Sequence, residues 1–69
     1  MIFVFKTSVK TNRQAQQLKP HIDKMLPNVQ WNFDLADVDK ILRIDSEENI
    51  VLIIIALLNT HHYSCEELE

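Results

Sequence analysis

The run Ile50-Val51-Leu52-Ile53-Ile54-Ile55-Ala56-Leu57-Leu58 is nine consecutive apolar residues in a chain of 69. A helix that crosses a bilayer needs about 20 such residues, so this run is expected to be a core element and the chain to have no membrane partner. Sixty-nine residues hold one domain at most, with a small core. The run must therefore supply much of that core. Ser46 just upstream reads as a helix cap, with Glu47 and Glu48 in the first turn, where negative charge suits the helix dipole. The β-branched residues also suit a buried strand. Periodicity alone does not separate the two, but the cap and the length favour a helix.

The rest of the chain is organised around it. Ile2 to Phe5 is apolar on both faces, as a central strand would be, and Lys6 to Lys10 reads as its end and a loop. Thr11-Asn12-Arg13-Gln14 fits a capping box. Ala15, Leu18, Ile22 and Met25 follow at helical spacing, with Pro20 predicted to kink or split the helix. Leu26-Pro27-Asn28 ends it. Val29, Trp31 and Phe33 alternate with polar residues, a half-buried strand. The acidic turn Leu35 to Asp39 leads into a strand from Lys40 to Asp45, so the pair is an antiparallel hairpin. His61 to Glu67 is expected to be a last strand, with Tyr63 and Cys65 on one face. The order strand-helix-strand-strand-helix-strand predicts an α+β, ferredoxin-like βαββαβ fold: a four-stranded antiparallel sheet with two helices on one face. The domain is expected to span 1–67, Leu68 and Glu69 being set aside as the scar of a purification tag.

Composition narrows the function. With 46% apolar and 25% charged residues the chain has enough core-forming side chain to fold. Its net charge of −3 argues against a nucleic-acid partner, which requires a cationic footprint. There is no glycine, so no glycine-built phosphate cradle exists. One cysteine, Cys65, makes no internal disulfide, and the first residues lack a basic region and cleavage site. A cytoplasmic location is expected.

Three segments carry a family resemblance. Leu26-Pro27-Asn28-Val29 is similar to a Leu-Pro-Gly-Val that follows the first helix of heavy-metal-associated domains. The hairpin core Asn32-Phe33-Asp34-Leu35 resembles their Val-Asp-Leu, and His62-Tyr63 stands where they carry Gly-Tyr. That family comprises copper chaperones and the soluble domains of metal-transporting ATPases. The resemblance implies a soft-metal site of two cysteines in Met-Thr-Cys-x-x-Cys at the start of the first helix. Thr11 matches, but Asn12 and Ala15 occupy the cysteine positions, and Ala15 has no donor atom. The family's site is therefore absent, and neither a metal nor a cofactor is expected there.

Other constellations are weaker. His61, His62 and Cys65 hold ligand atoms, but neighbours on a strand point to opposite faces, so they are an alternative metal site only. Asp34, Asp37 and Asp39 lack the glycine and ligand number of a calcium loop. Cys65, His62 and Ser64 are local neighbours without an orienting third group, and Asp34 and Asp45 read as hairpin surface charge, so no enzyme activity is expected.

The second helix has more apolar residues than one buried stripe requires. With Val51, Ile54, Ile55 and Leu58 inward, Ile50, Ile53 and Leu57 face out, with Leu52 and Ala56 beside them. Two readings stay open: a contact surface for a protein partner or a homodimer, or a stripe covered by the first helix. The function expected is a small non-enzymatic binding domain associating through this helix. The alternatives are metal binding through His61, His62 and Cys65, or RNA binding, for which Phe3 and Phe5 are the only stacking candidates on the central strands.

Overall fold

The computed structural model describes residues 1–68. Phe3 and Phe5 on the first strand, with Leu42 and Ile44 on the third, form an apolar sheet face. Leu18 and Ile22 from the first helix, and Ile54 and Leu58 from the second, close over it to make one core. Both helices thus lie on the same side of the sheet. The elements are β1 (Ile2–Thr7), α1 (Asn12–Met25), β2 (Gln30–Asp34), β3 (Ile41–Asp45), α2 (Val51–Thr60) and β4 (Cys65–Leu68). The strands run β2-β3-β1-β4 across the sheet, every neighbouring pair antiparallel. This is the ferredoxin-like arrangement that the order of periodicities predicts. The interior place of β1 fits its apolar character, although Ile2 and Val4 point to the open face.

Several boundaries move, each for a local reason. β1 continues through Lys6 and Thr7, which form the strand end that the segment Lys6 to Lys10 was expected to contain. Thr7 turns inward, its hydroxyl donating to the Lys40 carbonyl at 2.7 Å and accepting from the Val9 N–H at 3.2 Å. Val9 follows it into the core.

Thr11 caps α1 as expected, accepting the Gln14 N–H at 3.1 Å, and the Gln14 side chain accepts the Lys10 N–H at 2.9 Å. α1 passes through Pro20 without a break. Pro20 and Gln16 are exposed, so water reaches the carbonyl that loses its donor, while buried Leu18 and Ile22 pin the helix on both sides. Met25 leaves the predicted stripe; Leu26, four residues beyond Ile22, takes the buried place.

Ser46 does not cap α2. Its hydroxyl accepts the Glu48 N–H at 3.2 Å and closes a turn instead. The helix starts at Val51, so Glu47 and Glu48 lie before its first turn. The same four-residue displacement changes Ile50, which takes the N-cap position and is buried.

The last strand begins at Cys65 and not at His61. The chain leaves α2 through a Schellman turn: the Tyr63 N–H donates to the Leu58 carbonyl at 2.9 Å and the His62 N–H to that of Asn59 at 3.0 Å. His62 takes the left-handed backbone this turn requires, with φ of 70°. Leu68 opposes Val4 in β4. Glu69 lies outside the described residues.

Candidate functional site

α2 contains no charged residue. Ile54 and Leu58 are its fully buried positions, Val51 and Ile55 are half-buried, and a helix turns 100° per residue. The direction opposite Ile54 and Leu58 is therefore that of Leu52 and Ala56. Leu52 is 82% exposed and Ile53 42%. Leu57, expected outward, is half-buried against the core. Ile50, also expected outward, is only 3% exposed. Extending the helical wheel backward to Ile50 fails because that residue precedes the helix.

α1 covers only part of this stripe. Met25, 52% exposed, stands beside it, and a shallow groove runs between Met25, Leu52, Ile53, Ala56, Leu57 and Thr60. The Thr60 hydroxyl is turned back to the Ala56 carbonyl at 2.8 Å, which removes the one polar head at the groove's end. A second depression, with Glu47, Glu48 and Asn49 on its rim, shares Met25 and Ile53 with the first. The apolar face is thus bounded by acids where α2 begins and by His61 and His62 where it ends. Leu52 was placed beside the outer stripe by sequence, and centring the wheel on Ile54 and Leu58 puts it in the middle of that face; Met25 was missed, because tertiary packing alone brings it in.

The positions that the resemblance compares with a metal site lie elsewhere. Asn12 is exposed and Ala15 half-buried at the start of α1, in a groove with Gln16, Lys19, Trp31 and Phe33. That groove is tied by side-chain bonds. The Trp31 indole N–H donates to Asp23 at 2.9 Å, Lys19 pairs with the same carboxylate at 3.2 Å, and the Lys19 ammonium sits 5.5 Å from the Trp31 ring centre. The Trp31 bond, then Lys19, holds the Asp23 carboxyl below its ordinary value.

His61, His62 and Cys65 are not gathered. Among the described residues no group of three or more His, Cys, Asp or Glu side chains could share an ion. The opposite-face argument for the two histidines does not apply, because both sit in the helix-ending turn. His61 packs instead on His21 of α1, the ring centres 4.3 Å apart. Cys65 is half-buried beside the core, and burial pushes its thiol up to about 11. Asp34 and Asp45 fall at opposite ends of the hairpin, opposing Ile41 and Gln30. Phe3 and Phe5 point into the core and offer no stacking surface.

No protein-family model matches the chain, and no curated protein or solved structure matches it either. Among the described residues no helix is long and apolar enough to cross a membrane.

Proposed function

We propose that this chain is a non-enzymatic interaction domain whose working surface is the outer face of α2, and that the occupant of that face is a second copy of the chain. The observation that carries the reading is the uncharged α2 with Leu52 at 82% exposure, flanked by Ile53, Ala56 and Met25. The placement of hydrogen-bonding groups supports a self-complementary, antiparallel pair. Glu47 and Glu48 at one end of α2 then meet His61 and His62 at the other end of its partner, and the two helix dipoles oppose. A parallel pair would set acid beside acid.

Size sets the strength. A ten-residue helix is about 15 Å long, and a pair of such faces falls below the roughly 1,000 Å² expected of a stable interface. Interfaces of that size belong to weak, transient encounters, so the dimer is expected to be weak.

Ancestry from a heavy-metal-associated domain is part of this proposal. Asn28 and His62 stand where that family carries glycine, and both have left-handed backbone, φ of 65° and 70°. Left-handed φ is the property that selects glycine. Non-enzymatic character is supported by a protonated, half-buried Cys65 and by the separation of Asp34 from Asp45. Cytoplasmic location belongs to the same proposal, on the single unpaired cysteine.

Sedimentation equilibrium from 20 µM to 1 mM, parent beside Leu52→Glu, tests the reading. The parent's average mass is expected to rise with concentration and the variant's to stay monomeric. Identical curves for the two proteins would remove α2 from the interface.

A further inference from the structure

We propose that His21 and His61 form a two-imidazole site for a divalent transition-metal ion of the Cu²⁺ or Ni²⁺ type. The site is separate from the cysteine positions of the resembling family, which lie at the opposite end of α1, and it does not depend on self-association.

The two rings come from different helices. His21 is on the penultimate turn of α1, and His61 is the residue that ends α2. Their ring centres are 4.3 Å apart, and the planes are tilted by 41°. Two imidazole nitrogens bound to one ion at about 2.0–2.1 Å place the ring centres roughly 4.5 Å apart at a right-angle N–metal–N, and about 5.2 Å at the tetrahedral angle. The observed spacing is close to the first value. Adjacent positions at right angles belong to the tetragonal geometry of Cu²⁺ and Ni²⁺ more than to tetrahedral Zn²⁺. Water completes the remaining positions, since His21 is exposed and His61 partly so.

Both backbones are fixed. Ile22 next to His21 is fully buried, and the His61 N–H is shared between the Leu57 and Leu58 carbonyls. Binding therefore orders only side-chain torsions. His61 also stands at the carbonyl end of α2, where the dipole favours positive charge. Neighbouring polar groups are engaged elsewhere: Asp23 with Lys19 and Trp31, Thr60 with the Ala56 carbonyl.

The test is titration of the tag-free chain with NiCl₂ at pH 7.5, followed by calorimetry and by NMR of the histidine ring signals. One ion per chain is expected, with the His21 and His61 signals broadened before those of His62. His21→Ala is expected to weaken binding by about a factor of ten or more, the loss of one of two ligands, and His62→Ala to leave it unchanged. Substitution at exposed His21 leaves the core intact, and a far-UV spectrum checks this. Parent-like affinity in His21→Ala, non-saturating binding by the parent, or earliest broadening at His62 would each overturn the site.

Discussion

Leu52 and Leu58 are the same residue type on one helix, and their substitution should have opposite consequences. Leu58 is 0% exposed and packs among Phe5, Ile22 and Ile54 in the single core cluster, whereas Leu52 is 82% exposed. Truncating a buried leucine to alanine removes its transfer energy and leaves a cavity, together about 2–5 kcal/mol. A 69-residue domain has a total stability of roughly 3–10 kcal/mol at typical per-residue values. Leu58→Ala thus takes between a fifth of the stability and all of it. Leu52→Ala removes almost no buried surface, and alanine is at least as good a helix former. Its change is expected within about 0.5 kcal/mol of zero. Urea unfolding followed by helical ellipticity at 10 µM, where a weak dimer is dissociated, measures both. A loss above about 1 kcal/mol for Leu52→Ala, or below that for Leu58→Ala, would mean that α2 presents a different face to the sheet.

Two further outcomes follow from local chemistry. His62 holds the left-handed position of the Schellman turn at φ 70°, so His62→Gly is expected to raise stability by about 0.5–1 kcal/mol in the same urea assay; a loss would show that the histidine side chain contributes more than its backbone costs. Burial raises the Cys65 thiol from 9.0 to about 11, so the folded chain keeps a proton that the unfolded chain releases between those values. Stability contributed by this group is therefore full below pH 9 and falls as pH rises through about 11. Alkylation by iodoacetamide at pH 8.5 should correspondingly be much slower folded than in urea, and equal rates would place the thiol in solvent.

Much of the fold was legible because its signals are local. The alternation around Trp31 and Phe33, the Thr11–Gln14 cap and the stripe Leu18–Ile22 are each signals within a few residues and appear where expected, except that Val29 falls one residue before β2. The errors arise where one local signal serves two structures. A serine followed by acids closes a turn at Ser46 as readily as it caps a helix, and only the later start of α2 separates the cases. His61 to Tyr63 looks extended until the Leu58 and Asn59 carbonyls are seen to bend it. The candidate surface was half legible. An uncharged α2 is plain in the sequence, but the burial of Ile50, the prominence of Leu52 and the arrival of Met25 depend on packing between distant segments. The meeting of His21 and His61 has no sequence signal, since the two residues come together only when α1 and α2 dock on one sheet face.

The proposed antiparallel meeting of the outer face of α2 with its own copy is open to direct observation. Isotope-filtered NMR on an equal mixture of labelled and unlabelled chain at 1 mM tests it most directly. Antiparallel pairing predicts intermolecular contacts from the methyls of Leu52 and Ala56, together with contacts between residues near Glu47 of one copy and His61 of the other. Translational diffusion of an 8.1 kDa monomer at that concentration, with no intermolecular contact from α2, would contradict it.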